Sequence, residues 1–350
     1  MLISDIYWLL NGCTRLQYRS PWSAVRVGRL LEDLDSLAGN IAYEHCDDGK
    51  LDTRPPMLVT ASVDAIQLRK RLAIETDMTV HGQVVWTGSS SMDIRMELLQ
   101  GETIEPSLVA LFTFVARDPL TGKAMAINSL QPATDSDRQH FAERQQVAQQ
   151  RRAARKGASA AVSAERGSRQ AEWAEAQLAE ARAMLDLPAL ARGDAVLMQH
   201  TKLQNTFTCQ PQQRNMHGRV FGGFLMRRAF ELAFATCYIF AGSRPIFTQV
   251  GEITFKKPVE VGDLLRLHST VLYTHEEPGT SRGIMHVEVV AVVTKPEQVR
   301  SDVTNTFHFV FSTEPSESSQ HKKLKRVLPG TREEAMSILQ FAPQDELQSM

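Results

Sequence analysis

The 350-residue chain reads as an α+β protein built twice. Each copy would be a long central helix wrapped by an antiparallel sheet, and a helical or partly disordered linker would join the two. Three observations predict this. A stretch rich in Ala, Gln, Arg and Glu, nearly free of β-branched residues, divides the chain from about 134 to 193. The same order of elements recurs on either side of it. The segments FTFVARD at 112–118 and FHFVFST at 307–313 close the two copies alike. The boundaries are 1–133 for unit one, 134–193 for the linker, 194–314 for unit two and 315–350 for a C-terminal tail.

In copy one, apolar residues at i, i+3, i+4 and i+7 predict a helix over VGRLLEDLDSLAGNIAYEH. Strands follow over MLVTASVDAIQL, TVHGQVVWTG, SSMDIRMELL and SLVALFTFVARD, with a turn ending at Asp77 after the first. Copy two repeats the order. Its helix is GGFLMRRAFELAFATCYIFAG, and its first strand, IFTQVGEITF, precedes a turn VEVGD ending at Asp263. The strands LLRLHSTVLYT, SRGIMHVEVVAVV and VTNTFHFVF complete it. Two such units would pair sheet to sheet.

Composition narrows the function classes. Hydrophobic residues make up 43% and charged residues 23%, as in a soluble globular protein. A net charge of -1 predicts no strong field toward nucleic acid. In the linker, the basic run RRAARK has no interleaved aromatics and is followed by Glu residues, so it reads as a solvated face. No apolar run approaches the roughly 18 residues that span a membrane. The cysteines Cys13, Cys46, Cys209 and Cys237 lie far apart, which argues against a zinc site or disulfide framework and fits a reducing compartment. No metal or cofactor is expected. The opening MLISDIYWLLNGCTRLQYRS is a weak targeting signal: it has Arg15 and Arg19 but also Asp5.

Setting Gly28 over Gly223 aligns the two helices without a gap. Val27, Leu31, Leu34, Ala38 and Ile41 form one apolar face, and Gly222, Met226, Ala229 and Ala233 fall at matching angles. On the polar face, Glu32, Asp33 and Ser36 correspond to Arg227, Arg228 and Glu231. One position breaks the match: Asp35 flanks the apolar stripe where copy two has Phe230. A carboxylate there is partly desolvated, which raises its basicity. On the helix alone the position also fits an acid at the edge of an exposed face. The reverse asymmetry lies upstream, where Asn215 precedes Gly223 by as many residues as Ser20 precedes Gly28.

The entry into the second helix, RNMHGRVFGGFLMRRAFELAF, is no phosphate loop, because no lysine follows its glycines. It is no metal site either, since His217 is the one ligand type at hand. Its glycines allow close backbone approach to a bound carbonyl, and the N–H groups of a helix start favour negative charge.

The helix entered through GG, the strand VTASVDAI, the turn VGD, the phrase SSSMDIRMEL and the closing FTFVARD resemble the double hotdog acyl-CoA thioesterases. RNMHGRVFGGFLMRRAFELA, GSRPIF, FKKPVEVGDLL and VRVGRLLEDLDSLAGNIAYEH are similar to the mitochondrial acyl-coenzyme A thioesterase 9 type. The resemblance covers about 22–132 and 195–312. It implies two tandem hotdog units, hydrolysis of fatty acyl-CoA to fatty acid and coenzyme A, and a homo-oligomer, a trimer of two-unit chains. It implies a mitochondrial location, the alternative being the cytoplasm. The family carries an N-terminal strand and presequence before its first helix; either MLISDIYWLL supplies that strand or the start is truncated.

In this family an Asn before the helix of one unit faces an Asp on the helix of the other; the matching residues are Asn215 and Asp35. Asp35 would act as general base on a water, or attack the carbonyl directly. Asn215 would orient the water or polarise the carbonyl, and an N–H near Gly222 or Gly223 would bind the oxyanion. His217 either takes part or only shapes its turn. The acyl chain would lie near Phe224, Met226 and Phe230, residues that a packed core also explains. By resemblance Thr60, Ala61, Ser90 and Ser91 are candidates to hold coenzyme A, with Thr280, Ser281 and Arg282 as their counterpart in copy two. Lys256 and Lys257 fit a phosphate contact or a solvated turn. Two rivals remain: a hotdog hydratase, for which no G-D-x-N-P-x-H-like phrase is present, and a non-catalytic acyl-CoA binding or regulatory protein.

Overall fold

The computed structural model describes residues 4–10, 15–50, 52–155, 164–187, 193–277, 279–280, 282–313, 323–339 and 341. Copy one runs β1 (Ser4–Leu10), a short α1 (Arg15–Tyr18), the long helix α2 (Val27–Cys46), then β2 (Met57–Val63), β3 (Ile66–Leu68), β4 (Met78–Thr87), β5 (Ser91–Gln100) and β6 (Leu108–Arg117). The linker holds α3 (Asp135–Arg155) and α4 (Ala164–Asp186). Copy two runs β7 (Ala195–Leu197), β8 (Leu203–Thr208), the long helix α5 (Gly222–Ala241), β9 (Ile246–Val250), β10 (Ile253–Thr254), β11 (Leu264–Glu276), β12 (Gly283–Lys295) and β13 (Arg300–Ser312). β14 (Arg326–Leu328) and α6 (Arg332–Ile338) follow.

Within MLISDIYWLL, Ser4–Leu10 form a strand: β1 pairs with β4 as β8 pairs with β11, both antiparallel. The segments 57–68 and 246–255, each expected as one strand, are broken in two. The breaks let β2 pair with β10 and β3 pair with β9, so the halves join edge to edge in one twelve-stranded sheet. Each joined edge is thereby covered by its counterpart, which removes two exposed strand edges from solvent.

On the inner face of this sheet lie α2 and α5, and the alternation of the strands shows why. In β6 every second residue from Leu108 to Ala116 is buried, and in β13 Phe307, Phe309 and Phe311 are buried while their neighbours are less so. Leu31, Leu34, Ala38 and Ile41 of α2 bury the expected stripe, as do Met226, Ala229 and Ala233 of α5.

The two helices pack antiparallel on each other, and small residues set their spacing. A Cβ on Gly223 would stand 2.7 Å from the Glu32 carbonyl oxygen, and one on Gly28 would stand 3.1 Å from the Phe230 ring. Glu32 and Arg227 hold equivalent positions, and instead of facing solvent they meet each other across this seam, Nη1 to Oε2 at 2.8 Å.

The linker departs from expectation in being docked. Trp173, Ala174 and Leu178 of α4 are buried in the main core. On α3, Arg144 spans Asp64 at 3.0 Å and Asp93 at 2.8 Å, and Gln145 accepts the Trp86 indole N–H at 2.7 Å. The composition of this segment reports its wide polar face but not the narrow stripe that it buries. The RRAARK run crosses the end of α3, and its side chains lie outside the described residues. In the tail, β14 pairs in parallel with β7 and α6 buries Ala335 and Ile338.

Candidate active site

A cleft of about 870 Å³ opens where α2 and β2 of copy one meet the loop before α5. Asp35, Thr60, Asn215, His217 and Gly222 all line it. Residues far apart in sequence are thus brought together by the antiparallel crossing of the two helices.

Asp35 sits mid-way along α2 and is 1% exposed, so the exposed-edge alternative does not hold. Thr60 donates its hydroxyl to Oδ1 at 3.0 Å. Oδ2 is buried and makes no hydrogen bond of good geometry. Burial pushes the Asp35 pKa up to about 6, while the Thr60 hydroxyl and the Gly223 N–H pull it down. A carboxylate so placed is ionised at neutral pH yet more basic than an exposed one, as a general base requires.

Thr60 reaches the acid because β2 carries an irregularity between Thr60 and Ser62 against β6. Bulges of this kind re-aim side chains. Ala61, at the irregularity, lines the cleft, and its carbonyl accepts the Phe255 N–H at 3.0 Å, tying the halves together.

Opposite Asp35 stands the turn 215–219. Asn215 Oδ1 accepts from the His217 N–H at 2.9 Å and the Arg219 N–H at 3.1 Å, an Asx turn that fixes the amide's orientation. With its oxygen occupied, the amide NH2 is the group that a ligand would meet. His217 Nε2 pairs with the Tyr43 hydroxyl, which also accepts the Leu58 N–H at 3.3 Å. Burial, and secondarily Arg219, lower the His217 pKa, so the ring is neutral at neutral pH.

The two glycines part company. A Cβ on Gly222 would stand 3.1 Å from Asp35 Oδ2 and 3.3 Å from the Phe255 ring, so any side chain there crowds the carboxylate. Gly223 is needed for the helix crossing instead, and its N–H turns toward Asp35 rather than toward open space.

Other expected residues lie elsewhere. Ser90 ends the β4–β5 turn and Ser91 begins β5; their carbonyls accept the Ala116 and Gly88 N–H groups, and they do not line the cleft. Thr280 bonds Glu277 and Arg282 within the exposed β11–β12 turn, also away from the cleft; Ser281 lies outside the described residues. Of the proposed acyl-chain residues, Phe224 lines the cleft, Met226 is in the core, and Phe230 faces a different pocket. Lys256 and Lys257 do border the cleft, and Lys257 pairs with Asp302 at 2.7 Å.

Sequence reasoning missed Tyr43, and it missed Arg117, Arg214 and Arg219 at the rim. Tyr43 had a signal: it stands two helical steps of four beyond Asp35, on the same face. The rim arginines had none, because Arg117 at the end of β6 and Arg214 and Arg219 in the loop before α5 share no periodicity.

With this geometry in view, comparison with known proteins is direct. A model of the thioesterase superfamily matches residues 217–299. Acyl-coenzyme A thioesterase 2, chloroplastic, of Humulus lupulus is 45% identical over 93% of this chain and 76% of its own length. Acyl-coenzyme A thioesterase 9, mitochondrial, of Homo sapiens is 36% identical over 93% of this chain and 72% of its own. The chain belongs to the acyl-coenzyme A thioesterase family. Another relative in this family, acyl-coenzyme A thioesterase 4, mitochondrial, of Humulus lupulus, is 47% identical over 93% of this chain, which spans 62% of that protein. The fold of this thioesterase family member agrees with the solved 12:0-ACP thioesterase from Umbellularia californica, at TM-score 0.54 and 8% identity, over 90% of this chain and 94% of that one. Two tandem hotdog units therefore describe the chain. No helix among its described residues is long and apolar enough to cross a membrane.

Proposed function

We propose that the cleft hydrolyses fatty acyl-CoA to a fatty acid and coenzyme A, with one active site built from both units. The observation that carries this reading is the buried Asp35 carboxylate, with a pKa near 6, in one cleft with the Asn215 amide of the other unit. A water held against Oδ2 gives its proton to Asp35 as its oxygen attacks the thioester carbonyl carbon. The charge that develops on the carbonyl oxygen is met by the Asn215 amide and by the N–H of Gly222, in the first turn of α5 where N–H groups lack helical partners. Collapse of the tetrahedral species breaks the C–S bond. Asp35 returns its proton to the departing thiolate, and the new acid ionises into solvent. Neutral His217, steadied by Tyr43, borders the same water.

Coenzyme A carries phosphates, and Arg117, Arg214, Arg219, Lys256 and Lys257 supply cationic groups around the mouth. They take the place of the turn residues 90–91 and 280–282 as phosphate contacts in this reading. The acyl chain runs past Phe224 and Leu225. Mitochondrial residence, supported by the names of acyl-coenzyme A thioesterases 4 and 9 against a chloroplastic relative, and assembly as a trimer of two-unit chains belong to the same proposal.

The test is thiol release from short- to long-chain acyl-CoAs by wild type, Asp35→Asn and Asn215→Ala. Asp35→Asn is expected to lower kcat by about 10²–10⁴, and Asn215→Ala by about 10²–10³. The wild-type profile of kcat/KM should fall as pH drops through about 6, as Asp35 takes up its proton. Variants as fast as wild type would remove the assignment; a wild type inert on the whole panel would favour the non-catalytic binder.

A further inference from the structure

The pseudo-symmetry that relates the units creates a second pocket, where the loop before α2 meets α5. It holds about 300 Å³ and is lined by residues 20–22 and 24–29, by Leu68, Arg71 and Leu72, and by Phe230, Phe234, Arg244 and Phe247. It is the counterpart of the active cleft: Phe230 stands where Asp35 does, and Ser20 where Asn215 does. The reacting groups are absent, but the enclosure is not.

Its chemistry is of a different kind. Phe230 packs edge-on against Phe247 at 5.4 Å and Phe309 at 5.7 Å, giving an aromatic floor. Trp22 is 43% exposed at the mouth, and its ring lies 5.6 Å from Phe234 and 5.9 Å from Tyr238. The charged residues of the lining are Arg26, Arg29, Arg71, Arg244 and Glu231. Arg29 is committed to Glu32 and Asp33, and Glu231 to Arg227 and Arg228. Arg26 donates Nη1 to the Gln17 carbonyl at 3.1 Å, and Arg71 and Arg244 also have partners within the chain. Each guanidinium has five N–H donors, so an existing contact does not exhaust it.

We propose that this second pocket binds a medium-chain fatty acid, its chain on the aromatic floor and its carboxylate at the Arg26, Arg71 and Arg244 rim. An apolar floor under a cationic rim suits an amphipathic monoanion. The volume is at the lower end of small-ligand pockets, about 300–1,000 Å³, and is about a third of the active cleft's, so a whole acyl-CoA does not fit. The lining chemistry alone selects the ligand. That the ligand is also the product of the reaction rests on the function proposed above. The pocket would then sense product at a site separate from turnover.

The experiment uses decanoate, titrated into the full chain while tryptophan fluorescence is followed. It is run in the Asp35→Asn background, so that failure of the hydrolytic reading cannot be mistaken for failure of this one. The expected result is a saturable change that persists under saturating coenzyme A. Trp22→Phe should abolish the change, with equilibrium dialysis of [14C]decanoate showing that binding itself remains. The double variant Arg71→Gln/Arg244→Gln should weaken the apparent Kd at least tenfold. Displacement by coenzyme A would place decanoate in the active cleft and overturn the proposal. So would the absence of saturable binding by dialysis, or sedimentation showing that a second copy of the chain covers Trp22.

Discussion

The middle of α2 and the middle of α5 occupy equivalent places in the two units, yet they bury opposite things. At Asp35, α2 buries a carboxylate against one hydroxyl and one backbone N–H, with no cation in contact among the described residues. At Phe230, α5 buries a ring among Phe247, Phe309 and Phe311. The first arrangement costs stability, because a buried charge without a paired cation is poorly solvated. The second adds to it through apolar burial and edge-to-face contacts. Duplication thus leaves one unit to carry the strained chemical group and the other to supply packing. Such division is what a site built at a unit boundary allows, since each helix contributes to both clefts but needs to equip only one.

The most severe way to break this division is Phe230→Asp. It removes the ring that joins Phe234, Phe247, Phe309 and Phe311 and leaves an unpaired acid in their midst. The expected loss is about 4 kcal/mol or more, from cavity and buried charge together, read as a lowered midpoint in urea. No second activity should appear in the folded fraction, because Ser20 Oγ is already bonded to the Ala24 N–H at 3.1 Å and offers no amide to a carbonyl. Thiol release above the wild-type rate would contradict this account of the second pocket.

A milder change works in the other direction. The Asp35 pKa is raised from its ordinary 3.8 to about 6, so the folded state holds the proton more tightly than the unfolded chain. Stability from this group is therefore greatest below about pH 4, declines as pH rises to 6, and is flat above. Asp35→Asn removes the penalty. It should stabilise the fold at pH 7.5 by about 3 kcal/mol while lowering kcat by about 10²–10⁴, and the gain should vanish near pH 4. Equal denaturation midpoints for the two proteins at pH 7.5 would show that the carboxylate is better solvated than its burial implies.

Much of this was legible beforehand, for reasons that particular residues make plain. The helix periods around Leu31 and Met226 and the alternation of β6 and β13 follow from burial of one face, which leaves a mark at every turn or pleat. The Asp35–Phe230 difference was visible because a repeat carries its own control. What was not legible depended on contacts without a period. The docking of the linker rests on a few residues, among them Arg144, Trp173 and Leu178, in a segment whose average is strongly polar. The breaks at 64–65 and 251–252 have no proline to announce them, and they exist because β3 and β9 must pair across units. The turns holding Ser90 and Thr280 look polar and ligand-like in sequence, but their own backbone bonds account for that polarity. Glu32 and Arg227 were placed on the polar faces of their helices, and a helical wheel shows polarity without showing what stands opposite.

That last pair offers the finest test of how the units recognise each other. Glu32 and Arg227 are equivalent positions, so a unit paired with a copy of itself would set Glu against Glu, or Arg against Arg, at this point of the seam. The chain sets Glu against Arg at 2.8 Å, with both side chains largely screened from water at 16% and 25% exposure. Arg29 and Glu231 flank them, so each partner also has a second contact that survives loss of the first. A double-mutant cycle with Glu32→Ala, Arg227→Ala and the pair should therefore show a coupling of about 1 kcal/mol, less than a fully buried and isolated pair would give. Coupling of that size, measured by urea denaturation of the whole chain, would mean that the seam prefers one unit against the other beyond the fit of its glycines. Additive losses would instead leave the helix crossing at Gly28 and Gly223 as the feature that holds Asp35 and Asn215 on the same cleft.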